Sequence, residues 1–343
     1  MIGQERKCIP YQELKFVKSS LNAYDFVFAD PTARFAMNVQ PTAAQPLESV
    51  RILMEEVIDY AGLFPPSQLS MQEAVLNFAT YRMSNHGWML GRFVVQAARL
   101  EEFMDHAGDF ISRDGKSDWR LSVIAGEDIN QTVRQIREFS RVHTKGVKID
   151  MLEVKASTAS KIENTISGVP DGITTYFEIA AGASFVDLVT TLAMKRQRAK
   201  IRTGGVVAED FPKSREVIRF VRTCLAANVP FKATAGLHHP IRCYKPLTYA
   251  ADAPQGTMHG FLNVLLMTAF ARESYRASLL EELMEEEFEE AFTFDERGVK
   301  WRSDHFLSSS QLALVRHKGM NSFGSCSSPP VIASISRCLA RSF

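Results

Sequence analysis

Charged side chains recur inside short apolar segments between residues 146 and 236 of this 343-residue chain. A charge within an apolar strand is costly unless it is paired or has a function. Strand alternation places Lys200 and Arg202 on one face of their segment. Because the other charges fall on neighbouring segments, we predict one charge-compensated cluster. Its predicted catalytic residues are Asp150 in segment 146–151, Glu178 in 174–180, Lys200 in 200–204 and Lys232 in 231–236.

Two lysines on consecutive strands have a specific chemical use. A lysine amine is a nucleophile only when deprotonated, and burial or a neighbouring ammonium lowers its pKa. The amine can then form a Schiff base with a carbonyl compound, and proton transfers around that adduct need a carboxylate. The pattern predicts an aldolase- or lyase-type enzyme that acts on a small carbonyl substrate and needs no cofactor. The alternative is a non-catalytic barrel with structural pairs Lys200–Glu178 and Lys232–Asp150.

Further polar residues fall near the ends of the predicted strands. Arginines among them are suited to an anionic substrate group. The histidines offer a different hypothesis, a divalent metal held by His238, His259 and Glu178. Cys326 lacks the Gly-x-Ser-x-Gly context of a nucleophile elbow, so an incidental buried thiol is expected. The residues assigned to substrate binding are Arg92, Arg202, Thr203, Gly204, Thr234, Gly236, His238, His259 and Asp59.

Regular alternation of strands and helices must position these residues. Apolar runs predict strands at 57–64, 88–95, 119–125, 146–151, 174–180, 200–204, 231–236 and 258–264. Helical spacing predicts helices at 70–83, 100–110, 128–139, 157–166, 184–194 and 214–227. This order favours a (β/α)8 TIM barrel over an open sheet, because no glycine-rich phosphate turn follows the first strand. We predict an N-terminal extension at 1–48, the barrel at 49–280 and a helical or irregular C-terminal extension at 281–343.

The segment from 146 to 239 resembles the second half of the barrel in deoxyribose-phosphate aldolases, a family of class I aldolases. Its short matching motifs are Lys200-Ile-Arg-Thr203-Gly204, Lys232-Ala-Thr-Ala-Gly236-Leu, Ile149-Asp150-Met151 and Phe177-Glu178-Ile179. The resemblance implies that Lys200 is the Schiff-base nucleophile, Lys232 the ammonium that lowers its pKa, and Asp150 the proton relay. Arg202, His238 and 258–263 depart from the family's pattern, so the resemblance does not imply a deoxyribose phosphate substrate.

Composition excludes several classes of protein. With 45% hydrophobic residues and a net charge of +1, the chain resembles neither a disordered protein nor a nucleic-acid-binding protein. Its longest apolar run, 261–270, is shorter than the roughly 20 residues of a membrane span. Five widely spaced cysteines and the absence of an apolar leader predict a cytoplasmic protein. We expect a small-molecule partner, no nucleic acid or membrane, and leave a homo-oligomer open.

Overall fold

Eight parallel strands close into a barrel in the computed structural model, which describes residues 45–112, 118–180 and 185–326. The barrel order is β1-β13-β7-β6-β5-β4-β3-β2, so the predicted (β/α)8 architecture is confirmed. The strands are β1 (Ile58–Tyr60), β2 (Leu90–Gln96), β3 (Trp119–Ile124), β4 (Val147–Lys155), β5 (Thr174–Glu178), β6 (Arg198–Arg202), β7 (Phe231–Thr234), β8 (Cys243–Pro246), β9 (Gln255–Met258), β10 (Phe292–Asp295), β11 (Gly298–Trp301), β12 (His305–Ser308) and β13 (Met320–Ser325).

Helices alternate with the first seven barrel strands, as the amphipathic spacing predicts. Short 3-10 helices span Gly87–Met89, Ala97–Arg99, Ala208–Asp210 and Glu289–Ala291. Among the described residues no helix has both the length and the apolar character needed to cross a membrane. The α-helices are α1 (Glu48–Met54), α2 (Met71–Arg82), α3 (Leu100–Ala107), α4 (Ile129–Val142), α5 (Ala159–Ile166), α6 (Phe185–Met194), α7 (Ser214–Ala226), α8 (Phe261–Arg272), α9 (Ala277–Met284) and α10 (Ser309–Lys318).

Local sequence signals explain where several helices begin. Ser70 accepts a hydrogen bond from the Glu73 backbone N–H, and Glu73 reciprocates at the Ser70 backbone, forming a capping box at α2. Asp128 accepts backbone hydrogen bonds at the start of α4. The helices then bury apolar faces against the outside of the barrel, where a cluster of aromatic rings packs between the first three strands and helices α2 and α3. Its members are Tyr60, Phe78, Phe93, Phe103 and Trp119.

The eighth barrel strand is β13, and the prediction of a strand at 258–264 was wrong. Residues 255–258 form β9, which pairs with β8 in a separate antiparallel hairpin, and α8 begins at Phe261. β13 closes the barrel by pairing with β1 on one side and β7 on the other. The run at 261–270 is buried all round, so its continuous apolar sequence is that of a buried helix.

The connection from β7 to β13 is longer than a single crossover helix. It contains the β8–β9 hairpin, α8, α9, the antiparallel sheet β10-β11-β12 and α10. The predicted barrel end at 280 was therefore wrong, because the closing strand lies at 320–325. Within the extension predicted from 281, helix α9 ends at Met284 and Phe292 begins β10. Of the extensions predicted at 1–48 and 281–343, residues 1–44 and 327–343 lie outside the described residues.

Candidate active site

A cavity of about 410 Å³ lies at the carboxyl ends of the barrel strands. All eight barrel strands, or the residues directly after them, contribute to its wall, and this end of the fold carries the active site in TIM-barrel enzymes. Both charge signs are present in the wall. The charged side chains that line the cavity are Lys155, Lys161, Lys200, Arg202, Glu127, Glu153, Glu178 and Asp210.

Lys200 lies at the floor of this cavity, between two carboxylates. Its Nζ is 2.6 Å from Glu153 Oε2 and 2.8 Å from Glu178 Oε2. Glu178 pairs directly across β5 and β6 with Lys200, which explains why these two side chains meet. The Lys200 side chain is 5% exposed and the Glu178 side chain 12% exposed, so both remain accessible from the cavity while largely excluded from bulk water.

Lys232 lies beside Lys200 on the next strand and is fully enclosed. Strand pairing places the two lysines directly opposite each other on β6 and β7. The Lys232 Nζ is 2.6 Å from Asp59 Oδ2 and 2.7 Å from Glu153 Oε1. Glu153 therefore bridges both ammonium groups through its two oxygens, and the predicted proximity of the two lysines is observed.

Two serines complete the hydrogen bonding of the buried carboxylates. Ser122 on β3 donates to Glu153 Oε1 at 2.6 Å, and Ser322 on β13 donates to Asp59 Oδ2 at 2.7 Å. These contacts matter because a buried charge is tolerated only when its remaining lone pairs are satisfied. The inner part of the cluster is consequently rigid and preorganised.

Attraction between opposite charges determines the protonation states of Glu153 and Lys232. Burial alone would raise the pKa of Glu153, but the charges of Lys200 and Lys232 outweigh it and hold that pKa well below its ordinary value. Burial alone would lower the pKa of Lys232, but Asp59 and Glu153 outweigh it and raise that pKa. Glu153 is thus a carboxylate and Lys232 an ammonium at neutral pH.

Glu153, and not the predicted Asp150, is the β4 carboxylate that lies beside the two lysines. Leu121 pairs with Ile149, whereas Ser122 pairs with Met151, so one extra residue interrupts β4 at Asp150. Beyond this bulge, Met151 and Glu153 face the barrel interior, where the Met151 sulfur lies 3.4 Å from Lys232 Nζ. The sequence did contain a signal for Glu153, because a glutamate stands inside the apolar run 151–154. The predicted strand ended at 151, so it did not include Glu153.

Asp150 and Arg92 form a cluster on the amino-terminal side of the lysine network, which Arg92 contacts through Asp59 at 3.8 Å. Arg92 donates to both Asp150 oxygens at 2.6 and 3.0 Å, and Arg120 donates to the same carboxylate at 2.7 Å. Burial would raise the pKa of Asp150, but these two arginines outweigh it and lower the pKa. The predicted proton-relay role of Asp150, the Lys232–Asp150 pair and the substrate-binding role of Arg92 do not fit this placement. Asp59, expected at the cavity, is fully buried beneath it.

Thr203 and Gly204 do not line the cavity. They follow β6 and contact the residues that follow β7. Thr203 donates its hydroxyl hydrogen to the Ala235 carbonyl at 2.6 Å. A Cβ atom on Gly204 would lie 2.8 Å from the Cα of Gly236, which has a φ of 77°. Glycine is therefore required at both positions for close approach and a left-handed turn. Thr234, Gly236, His238 and Arg202 line the cavity, and their assignment to substrate binding stays a prediction.

His259 lies apart from the other residues proposed as metal ligands. Its Nε2 is 2.7 Å from the Pro212 carbonyl, and it lines a different groove from the cavity that contains His238 and Glu178. Within residues 45–112, 118–180 and 185–326, no group of three or more His, Cys, Asp or Glu side chains is placed to hold a metal ion. The proposed set of His238, His259 and Glu178 is therefore not assembled.

Among the described residues, two cations on the cavity rim have no ion-pair partner. Lys155 ends β4 opposite Glu178, and Arg202 ends β6 opposite Thr234. In the described part of the chain, neither side chain forms an ion pair, although Lys161 nearby donates to the Glu127 carbonyl at 3.3 Å. The rim therefore has the charge and the donors to hold an anionic group above the Lys200 amine.

Comparison with known proteins adds no family to this description. No model of a known protein family matches the chain, and no curated protein matches it either. The assignment of a function therefore depends on the geometry of the cavity and its charged residues.

Proposed function

We propose that this barrel is a class I aldolase- or lyase-type enzyme in which Lys200 forms a Schiff base with a small carbonyl substrate. The observation that carries the proposal is the placement of the Lys200 amine on the cavity floor, 2.8 Å from a carboxylate that also reaches the cavity. A nucleophilic lysine and a proton acceptor within hydrogen-bonding distance are the pair that Schiff-base formation needs.

Glu178 is the proton acceptor in this mechanism. Among the described residues Lys200 is its sole ion-pair partner, whereas Glu153 also neutralises Lys232. Proton transfer from Lys200 to Glu178 leaves a neutral amine beside a neutral carboxylic acid, so neither of the two groups carries an unpaired charge. Moving the proton to Glu153 would deprive the buried Lys232 ammonium of a counter-charge, which is costly in a site of low dielectric.

The reaction then proceeds by addition of the Lys200 amine to the substrate carbonyl, followed by loss of water. The free Lys200 amine attacks the carbonyl carbon, and the carbonyl oxygen leaves as water with a proton from Glu178. The resulting iminium withdraws electrons from the adjacent carbon, from which Glu178 removes a proton to give an enamine. The Lys232 ammonium, held between Asp59 and Glu153, places a fixed positive charge on the strand next to Lys200.

A substrate with an anionic group close to its carbonyl fits the cavity best. Lys200 and Arg202 are two residues apart on one strand face, so their Cα atoms are about 6.6 Å apart. Lys155 approaches the same rim from β4. These two cations would hold a carboxylate or phosphate while the carbonyl carbon faces Lys200. The cavity volume of about 410 Å³ suits a small molecule of this kind.

Exchange of carbon-bound hydrogen tests the proposal without knowledge of the natural substrate. An enamine at Lys200 would exchange the α-hydrogens of pyruvate, acetone or acetaldehyde for deuterium in D2O, which proton NMR follows. We expect exchange with the wild-type protein and loss of at least 100-fold in rate with Lys200→Met. Glu178→Gln should lose a similar factor, since general base catalysis contributes about 100- to 10,000-fold.

Variants with a preserved charge balance provide the controls. The double variant Lys200→Met/Glu178→Gln removes one ammonium and one carboxylate together and keeps the Glu153–Lys232 pair, so its circular dichroism should remain that of the folded protein. Lys195→Met, which alters an exposed lysine paired with Glu163, should exchange as fast as wild type. Wild-type protein that exchanges none of the three compounds would contradict the proposal and favour a non-catalytic ion-pair network.

A further inference from the structure

A cysteine and a histidine meet on the wall of the same cavity, where the aldolase mechanism uses neither. Cys326 directly follows β13, and His238 lies in the segment after β7. The Cys326 Sγ is 3.8 Å from the His238 Nδ1, and both residues line the cavity. Since β7 and β13 are neighbours in the barrel, the closed topology itself brings this thiol and imidazole together.

The surroundings of Cys326 differ from those of the other described cysteines. Burial would raise the pKa of the Cys326 thiol, but the His238 imidazole outweighs it and lowers that pKa. By contrast, burial raises the pKa of Cys243 to about 11 and raises that of Cys224 further. Ser67 also donates its hydroxyl hydrogen to the Cys326 carbonyl at 3.3 Å, which fixes the backbone beside the thiol.

We propose that Cys326 and His238 form a second nucleophilic site in the cavity, one that binds small aldehydes reversibly as hemithioacetals. The thiol proton moves to His238 Nδ1, and the sulfur attacks the aldehyde carbon. One carbon–sulfur bond forms, the carbonyl π electrons move to oxygen, and that oxygen takes the proton back from His238. No oxidant, reductant or cofactor is needed, and Lys200 takes no part in the step.

A hemithioacetal that reverts to its thiol and free aldehyde beside Lys200 would supply the second compound in a reaction that joins two carbonyl compounds. This aspect rests on the proposed function, because it assumes that Lys200 binds the first compound. The hemithioacetal itself depends on the geometry of Cys326 and His238 alone. Loss of the Schiff base would therefore leave the thiol chemistry intact, and the two proposals can fail separately.

Alkylation with iodoacetamide tests whether Cys326 is the activated thiol. Tryptic cleavage separates the cysteines, because the peptide 319–337 contains Cys326 alone and Cys8, Cys224, Cys243 and Cys338 fall in other peptides. We expect peptide 319–337 to be alkylated at least tenfold faster at pH 7 than the peptide with Cys243. His238→Gln should abolish that advantage. Equal rates at Cys326 and Cys243, or no effect of His238→Gln, would overturn the proposal.

The pH dependence of alkylation separates activation by His238 from simple exposure of the thiol. With His238 present, the Cys326 rate should stay high below the ordinary thiol pKa of 9.0, whereas in His238→Gln it should fall steadily as the pH drops. A profile unchanged by His238→Gln would contradict activation. Tyr60 lies near Cys326 and His239 near His238. The other charged groups that line the cavity are Glu127, Glu153, Lys155, Lys161, Glu178, Lys200, Arg202 and Asp210.

Protection by an aldehyde tests the proposed ligand. Millimolar glycolaldehyde should slow the alkylation of peptide 319–337 severalfold and leave the Cys243 peptide unaffected. The same protection should occur in Lys200→Met/Glu178→Gln, which cannot form the Schiff base. Alkylation without protection would overturn the aldehyde as ligand. Protection that disappears in the double variant would show that the aldehyde is held by Lys200 and would overturn the thiol site.

Discussion

Replacement of Lys232 by methionine should strongly destabilise the folded barrel. Lys232 is 1% exposed and neutralises two carboxylates, Asp59 and Glu153, whose side chains are 0% and 3% exposed. Methionine has a similar length, so the change removes the charge and creates little empty space. Asp59 and Glu153 then lie in a region of low dielectric without the ammonium that neutralised them both.

The magnitude follows from what remains around each carboxylate. Asp59 keeps the Ser322 hydroxyl and lies 3.8 Å from the Arg92 guanidinium, while Glu153 keeps Lys200 and Ser122. Removing one partner of a buried ion pair costs about 3–5 kcal/mol. The free energy of unfolding of a domain is about 5–15 kcal/mol, so Lys232→Met should remain folded but show a much lower urea midpoint.

Urea unfolding followed by circular dichroism measures this loss, and a double variant provides the matched control. Lys232→Met/Asp59→Asn removes one charge of each sign, so it should lose less free energy of unfolding than the sum of the two single variants. A coupling of about 2 kcal/mol or more would be consistent with a close buried pair.

The pH dependence supplies a second check on the same variant. Without Lys232, Glu153 loses one of the two ammonium charges that hold its pKa low, so its folded-state pKa rises and protonation relieves part of the destabilisation as the pH falls. A Lys232→Met loss below about 1 kcal/mol at pH 7 that does not change with pH would refute the ionised network.

Three further predictions concern acid stability, the amino-terminal cluster and the cavity rim. Because the folded-state pKa of Glu153 is depressed, its contribution is complete above the ordinary value of 4.5 and is lost as the pH falls further, so the wild-type urea midpoint should decrease from pH 5 to pH 3. Asp150→Asn should lower the free energy of unfolding by about 3 kcal/mol, because it weakens two arginine contacts, yet leave deuterium exchange by the folded protein within about twofold of wild type. Arg202→Ala should raise the pyruvate concentration that gives half-maximal exchange about tenfold or more and leave acetone unaffected, since a hydrogen bond to a charged group contributes about 1.5–3 kcal/mol.

The sequence was sufficient to predict seven barrel strands but not the eighth. The first seven contain apolar runs bounded by polar turns, a pattern that indicates buried strands. β13 reads Met-Asn-Ser-Phe-Gly-Ser, with small polar residues because Ser322 must reach Asp59 inside the barrel. The stronger apolar signal at 261–270 belongs to α8, and composition alone does not separate a fully buried helix from a strand.

The part of the candidate site that lies in apolar strands could be predicted from its charges. Lys200, Lys232 and Glu178 were found because each is a charge inside an apolar strand, and strand pairing places them directly side by side. Asp150 was misplaced because the bulge in β4 shifts every later residue of that strand by one position. Such a bulge is set by tertiary packing, and the predicted strand end at 151 left Glu153 out of the site.

Reductive trapping at Lys200 tests the central claim most directly. The protein would be incubated with glycolaldehyde or pyruvate and sodium borohydride, digested after glutamate residues, and the labelled lysine identified by mass spectrometry. The peptide 179–209 contains both Lys195 and Lys200, so the exposed Lys195 is an internal control for indiscriminate modification. We predict a reduced adduct on Lys200 and none on Lys195. Absence of any adduct on Lys200, or equal labelling of both lysines, would contradict the assignment of Lys200 as the Schiff-base residue.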